Sequence, residues 1–175
     1  MRTSTHEEVG SDMAASELSA QLWKERELLE LLLFKLEEEQ LLLIAGKSRW
    51  ISHATREVEQ VIERMRAVGL ARTVEVAVLA EEWGIGPDAT LRELATAAPD
   101  GIWSDIFGSH LAALTELTAQ IAEVRDTNER LLREAARSTQ ETLSSLSGAG
   151  DDPGVYGAGG TGSLGDTARF FDTEA

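Results

Sequence analysis

The residues that could carry out chemistry in this chain are few, and their spacing matches no complete catalytic or ligand-binding pattern. Gly157, Gly159 and Gly162 satisfy the G-x-G-x-x-G spacing of a dinucleotide-binding turn. That turn works only between a strand and a helix, where backbone amides meet a pyrophosphate. No strand pattern precedes Gly157, so we interpret these glycines as part of a linker.

The histidines also lack the neighbours that a metal site needs. Helical proteins can hold a metal pair through Glu-x-x-His motifs. Here Trp50 stands three residues before His53, and Phe107 stands three residues before His110. We expect His53 to lie in solvent, and we expect His110, which falls in an apolar seam, to be a structural core residue. His6 lies in a polar N-terminal segment.

An acidic run, Glu37, Glu38 and Glu39, could in principle supply a general acid–base cluster. Catalytic carboxylates need a pocket that shifts their pKa, whereas acidic residues between two leucine blocks are typical of a solvated helix face. The serines have no His or Asp at a recognisable spacing. We therefore predict no catalytic residue, no metal and no cofactor, and we predict that the chain is not an enzyme.

Charge and composition narrow the class further. With 31 acidic and 16 basic residues the 175-residue chain has a net charge of -15, which repels nucleic acid and anionic membrane surfaces. There are no cysteines, so thiolate metal sites and disulfides are excluded. The first residues hold no apolar core of signal-peptide length, and the apolar runs are too short to cross a bilayer. We predict a protein without nucleic-acid binding or membrane insertion, and the lack of cysteines is compatible with a reducing cytosol.

The element that must position any functional side chain is a first long helix over 15–45. Its leucines are too widely distributed for one face: one set recurs every seven residues, and others lie on the remaining sides (Leu22, Leu29, Leu36, Leu43; Leu28, Leu31, Leu33, Leu41, Leu42). Such a helix needs partners on more than one side. Gly46 is suited to the left-handed conformation that ends a helix.

Two further long helices follow, each with an apolar seam at steps of three and four. The second seam weakens at Gly69, which indicates a kink or a close helix contact, and the helix stops at Gly84 (Ile51, Ala54, Val58, Val61, Met65, Val68, Val76, Leu79, Trp83). Thr90 and Glu93 form a capping-box pattern for a short connecting helix. The third seam continues over 103–146 (Trp103, Phe107, His110, Leu114, Leu117, Ile121, Val124, Asn128, Leu131, Ala135).

These elements predict an all-α fold: an antiparallel three-helix bundle or coiled coil of long helices, with a short connecting helix and a disordered C-terminal tail. The predicted parts are a flexible tail over 1–14, a helical domain over 15–146 and a glycine-rich tail over 147–175. Folding at Gly46 pairs residues of the first two helices whose numbers sum to about 93. Trp83 should then lie near Trp103, with Leu91 and Leu94 covering that end.

Four segments, in this order, resemble the FlgN-type flagellar export chaperones: 42–46 (LLIAG), 79–85 (LAEEWGI), 89–95 (ATLRELA) and 124–132 (VRDTNERLL). The resemblance covers roughly residues 16–146. It implies an all-helical cytosolic chaperone that binds C-terminal helices of hook-associated (hook–filament junction) proteins and delivers them to the flagellar type III secretion gate. Val155 and Tyr156 are similar to an aromatic-glycine motif near the family's C-terminus.

The candidate cargo-binding residues lie toward the end of the third helix and in the tail. A cargo helix needs an exposed apolar stripe, and the end of the third helix supplies a sparse one. Leu131 and Leu132 could instead complete the internal seam. Asn128 could fix register or partner choice, or it could lie in a layer that solvent reaches. The full candidate set is Asn128, Leu131, Leu132, Ala135, Leu143, Leu146, Val155 and Tyr156.

An alternative function is a structural coiled-coil protein that self-associates through its first and third helices. It predicts a homo-oligomer, namely an obligate dimer whose stability depends on concentration. The chaperone interpretation predicts instead that deleting 140–175 removes cargo binding and leaves the remaining helices folded.

Overall fold

The computed structural model describes residues 4–99 and 101–148. All regular secondary structure in these residues is α-helical. The four helices are α1 (Ser4–Ile44), α2 (Ser48–Glu82), α3 (Leu91–Ala97) and α4 (Gly101–Gly148). The predicted all-α class is confirmed. Within these ranges, no helix is long and apolar enough to cross a membrane. The glycine-rich segment 149–175 lies outside the described residues.

Glycines in the left-handed conformation end the first two helices. Gly46 has φ 64° and Gly84 has φ 68°, values that cost glycine little and other residues more. After α1, the N–H of Lys47 donates to the carbonyl of Leu42 at 2.9 Å, and the N–H of Gly46 donates to Leu43 at 3.1 Å. This is the Schellman pattern, and it produces the tight reversal that the sequence predicted at Gly46.

Ion pairs show that α1 and α2 run antiparallel. The ammonium of Lys35 lies 2.7 Å from the carboxylate of Glu57, and Arg72 lies 2.8 Å from Glu25. The residue numbers of these pairs sum to 92 and 97, close to the predicted value. α2 is continuous through Gly69, where an added Cβ would meet nothing within 4 Å. The close helix contact considered at Gly69 is therefore wrong.

Helix α1 starts well before the predicted position. The sequence placed a flexible tail at 1–14, but α1 begins at Ser4, and Ala14 and Ala15 are buried. The indole N–H of Trp83 donates to the Oγ of Ser11 at 2.6 Å, a bond that uses this early turn. This segment packs through small side chains and polar contacts. It has no repeat of large apolar residues from which the sequence could have predicted a helix.

Aromatic side chains organise the core where α1, α2, α3 and α4 meet. Phe107 is fully buried, and its ring centroid lies 6.0 Å from that of Trp83 and 5.7 Å from that of Trp103. Leu94 from α3 is also fully buried there. The predicted proximity of the two tryptophans is thus achieved through Phe107. The other buried members are Ala14, Ala15, Leu18, Leu22 and Leu79.

The short helix α3 begins as the sequence predicted. The Oγ1 of Thr90 accepts a hydrogen bond from the N–H of Glu93 at 3.2 Å, and the N–H of Thr90 donates to the Glu93 carboxylate at 2.7 Å. This is the reciprocal capping box. Hydrogen bonds from the Thr90 backbone, and secondarily from its side chain, lower the pKa of Glu93. The cap fixes the turn that carries Leu94 into the core.

Contacts of α4 with α1 show that these two helices run in the same direction. The indole N–H of Trp103 donates to Asp12 at 3.0 Å, and the amide of Asn128 donates to the carbonyl of Leu36 at 2.8 Å. A second buried cluster of α1 and α2 residues contacts Ile121 and Val124 of α4 (Leu32, Leu36, Val58, Val61). The arrangement of all three long helices as one antiparallel bundle stays a prediction.

The described residues fall into two units, one that ends at Arg137 and one that begins at Ser138. In the second unit the described residues are the last turns of α4, where Leu143 and Leu146 are exposed. Residues 147 and 148, predicted to belong to the tail, are still helical. The predicted domain limits at 15 and 146 otherwise stay predictions.

Candidate functional site

The end of the α1–α2 hairpin holds three large apolar side chains in solvent. Leu41, Ile44 and Trp50 are 66%, 68% and 48% exposed, and together we call them the hairpin-end surface. α1 is apolar on more sides than its neighbours cover, so its last two turns leave leucine and isoleucine outside. A cluster of large apolar residues in water is typical of a protein-binding surface.

An open cavity of about 450 Å³ lies beside this surface, between the end of α1 and the start of α2. Its apolar wall comes from α1 leucines and from Trp50, and its polar rim comes from both helices (Glu38, Leu41, Leu42, Trp50, His53, Ala54, Glu57). A cavity of this kind can accept one or two side chains of a partner helix.

The rim of the cavity is held by an ion triplet. The ammonium of Lys35 donates to Glu38 at 2.6 Å and to Glu57 at 2.7 Å. The hydrogen bond with Glu38, followed by that with Glu57, raises the pKa of Lys35, and the hydrogen bond from Lys35 lowers the pKa of Glu57. Lys35 and Glu57 are therefore both charged at neutral pH. Two carboxylates around one ammonium leave the rim with a net negative charge.

The predicted cargo-binding residues of α4 fall into different environments. Leu131 is half-buried, Leu132 is 39% exposed and Ala135 is exposed. They follow Asn128, whose contact with Leu36 places this part of α4 beside the later part of α1. Leu131 is thus partly enclosed and Leu132 is open to solvent, and cargo binding by the two leucines stays a prediction. Two further predicted residues, Val155 and Tyr156, lie outside the described residues.

Asn128 lies inside the protein, not on a surface. It is 3% exposed, and its Nδ2 donates to the carbonyl of Leu36 at 2.8 Å and to the carboxylate of Glu39 at 3.3 Å. A layer that solvent reaches, one of the two interpretations of Asn128, is therefore wrong. Because Asn128 is enclosed, it contacts α1 and is not accessible to a cargo helix. Its bonds fix the position of α4 along α1.

The solvated face predicted for the acidic run is wrong for Glu39. Glu37 is exposed, but Glu39 is buried, and its carboxylate accepts a hydrogen bond from the Oγ1 of Thr55 at 2.6 Å. The heptad spacing of Glu25, Leu32 and Glu39 places all three residues on one side of α1. This side faces α2, where Glu25 contacts Arg72 and Glu39 contacts Thr55. The spacing could therefore have indicated that Glu39 is buried.

A second buried polar contact joins α1 and α4 at His110. The imidazole is 4% exposed, its Nε2 lies 3.2 Å from the Oγ of Ser19, and the Trp23 ring contacts it edge-on at 5.2 Å. Burial, and to a smaller extent the positive charge of Arg26, lowers the pKa of His110 from 6.5. The histidine is therefore neutral at pH 7 and acts as a structural residue, as the sequence predicted.

Acidification is expected to destabilise the protein through His110. Its pKa is lower in the folded chain than in the unfolded chain, so between these two pKa values the unfolded state binds more protons. Stability is then full above the unfolded pKa and is lost as the pH falls below it. Urea unfolding at about pH 7.5 and about pH 5.5 measures the loss.

A glutamine variant tests this assignment. His110→Gln should weaken the pH dependence in that range, because glutamine does not titrate. Equal pH dependence in the wild-type chain and the His110→Gln variant would remove His110 as the cause.

Within residues 4–99 and 101–148, no group of three or more His, Asp or Glu side chains could hold a metal ion. The exposed position of His53 agrees with its expected place in solvent. The G-x-G-x-x-G glycines lie beyond the described residues. What the described geometry offers is apolar surface with an acidic rim, which is suited to binding another protein.

Comparison with known protein families agrees with this kind of site. A family model described as FlgN protein matches residues 13–163, which is most of the chain. The matched range includes the hairpin-end surface and α4 with its buried Asn128. Neither a curated protein nor a solved structure matches the chain.

Proposed function

Since the chain belongs to the FlgN family of flagellar export chaperones, we propose that it binds hook-associated (hook–filament junction) proteins through their C-terminal helices. It keeps these proteins unassembled in the cytoplasm and delivers them to the flagellar type III export gate. The family match over 13–163 is the observation that carries the proposal. Holding and delivering a partner requires surfaces and no catalytic residue.

The hairpin-end surface and the neighbouring part of α4 form the proposed cargo site. Leu41, Ile44 and Trp50 offer exposed apolar area, and Leu132 and Ala135 extend it on α4. An amphipathic cargo helix would lay its apolar face on these side chains and place one residue in the 450 Å³ cavity. The negative rim at Glu38 and Glu57 favours a cargo helix with a basic residue near that anchor.

Further contacts are proposed for the part of the chain beyond Arg137. Leu143 and Leu146 expose apolar area on the last turns of α4, and we propose them as a separate set of cargo contacts. Val155 and Tyr156 stay proposed contacts for cargo or for export gate components. Deleting 140–175 separates these contributions from that of the hairpin-end surface. Because the hairpin-end surface would still bind cargo weakly, we now expect a partial loss of binding in place of the complete loss expected from the sequence alone.

A double substitution tests the cargo site. Leu41→Asp combined with Ile44→Asp should weaken binding of a purified C-terminal hook-associated segment at least about tenfold, because apolar anchors dominate such interfaces. Isothermal titration calorimetry at micromolar concentrations measures the affinity. Both positions are exposed, so circular dichroism should show unchanged helicity.

Ile102→Asp is the matched control, since Ile102 is 68% exposed at the start of α4. It should leave the affinity unchanged. Equal affinities for the double variant and the wild-type chain would disprove the cargo site. Failure of the wild-type chain to bind any hook-associated segment would argue against the function itself. A concentration-dependent oligomer in light scattering would then favour the self-associating scaffold.

A further inference from the structure

We propose that the outer face of α2 is a second docking surface, which binds a basic amphipathic helix of another protein. Leu70, Val74 and Val78 are 71%, 57% and 44% exposed, and they recur every four residues. Side chains spaced by three or four lie on one face of a helix. We call these three residues the α2 stripe. It is separate from the hairpin-end surface proposed for cargo.

The α2 stripe lies on the side of the helix away from the core. Leu79, which follows Val78 directly, is fully buried, and Val76 packs partly buried against the same core cluster. Adjacent residues point about 100° apart on a helix, so this segment has one apolar face inside and another outside. Core packing explains only the inner face. The outer face has the i, i+4, i+8 spacing that a partner helix recognises.

The turn after α2 forms a cavity at the C-terminal end of the α2 stripe. An open cavity of about 590 Å³ is lined by the last two stripe residues and by Ile85 and Pro87 from the turn (Thr73, Val74, Ala77, Val78, Glu81, Ile85, Pro87). The left-handed Gly84 directs the chain back beside the helix at this point. An apolar side chain of a docked helix can enter the cavity and fix the position of the helix along α2.

Charge determines which partner fits. Glu81 lines the cavity. Within the described residues, the Glu81 carboxylate forms no salt bridge. A lysine or arginine on the partner helix would supply the missing cation. A second copy of this chain fits poorly, because each copy has a net charge of -15 and the two would repel.

The direct test uses a fluorescent helical peptide of leucine, alanine and lysine, with leucines at i, i+4 and i+7 and lysines beside them. Fluorescence anisotropy with the full chain measures binding. Val74→Asp and Glu81→Lys should each lower the affinity at least about tenfold. The aspartate adds a negative charge that by itself would attract the peptide, so a loss there reports lost apolar contact.

Two matched variants control for general effects. Glu116→Lys changes the net charge as Glu81→Lys does, but at an exposed position of α4, and it should leave the affinity nearly unchanged. Ile102→Asp places the same aspartate on another exposed apolar residue and should also be neutral. A peptide with glutamate in place of lysine should not bind.

Three results would overturn the proposal. The first is an equal loss with Glu81→Lys and Glu116→Lys, which would mean unspecific charge attraction. The second is unchanged binding by Val74→Asp. The third is a dimer of the wild-type chain that Val74→Asp dissociates, which would make a second copy the occupant. Val74→Asp should leave binding of hook-associated segments intact, so this test is independent of the proposed cargo site.

Discussion

Replacing Phe107 by Ala is expected to lower the free energy of unfolding by about 3–5 kcal/mol, the range for truncating a buried phenylalanine. The phenyl ring is fully buried and lies between Trp83 and Trp103 at centroid distances of 6.0 and 5.7 Å. Its removal deletes apolar contacts with elements from three parts of the chain. The two large indoles are hydrogen-bonded to Ser11 and Asp12, so they cannot easily move to fill the space.

The matched control is Phe34→Ala. Phe34 also lies on a long helix, but it is 52% exposed, and its main neighbour is the Lys35 ammonium 5.3 Å from the ring centroid. We expect a cost below about 1 kcal/mol there. Urea unfolding followed by circular dichroism compares the two variants. Similar losses for both would mean that Phe107 does not centre the core.

The helices of this protein were predictable because their seams repeat with a clear period. The alternation of threes and fours in α4 identified Phe107, His110 and Asn128 as inward positions, and all three are buried. Glycine at the reversal was equally informative, since Gly46 has φ 64°. The start of α1 was missed because Ala14 and Ala15 pack through small side chains, which leave a weak apolar signal.

The binding surfaces were less predictable, for a reason that lies in the leucine-crowded helix itself. When apolar residues surround a helix, periodicity cannot tell which side lacks a partner. Leu36 is buried, whereas Leu41 is 66% exposed, yet both belong to the same leucine-rich run. The same difficulty applies to α2, where Val74 and Val76 face opposite environments. Only the placement of the neighbouring helices decides which apolar side chains remain available.

Replacing Asn128 by Asp is expected to destabilise the protein by about 3–5 kcal/mol, the range for an uncompensated buried charge. The Nδ2 of Asn128 is a donor to both Leu36 and Glu39. Aspartate would replace this donor by an acceptor. Its carboxylate would then face that of Glu39, because Asn128 Nδ2 now lies 3.3 Å from the Glu39 carboxylate. Glu39 is itself buried, so water cannot screen the repulsion. Urea unfolding at neutral pH measures the loss.

A second substitution at Glu39 distinguishes this mechanism from a simple loss of packing. Glu39→Gln supplies an amide donor, so the pair Glu39→Gln with Asn128→Asp exchanges donor and acceptor at this contact. It should recover the part of the lost stability that comes from the two facing carboxylates, whereas the hydrogen bond to the carbonyl of Leu36 stays lost.

The pH dependence gives a further test. Two facing buried carboxylates take up a proton as the pH falls, so the free energy of unfolding of the Asn128→Asp variant should approach the wild-type value under mildly acidic conditions. Asn128→Leu carries no charge, so its free energy of unfolding should not approach the wild-type value in this way. If the double variant is as unstable as the single one, then the hydrogen bonds of Asn128 do not set the position of α4 along α1. The buried layer is a contact between helices, so the proposed cargo site is limited to the exposed residues around it.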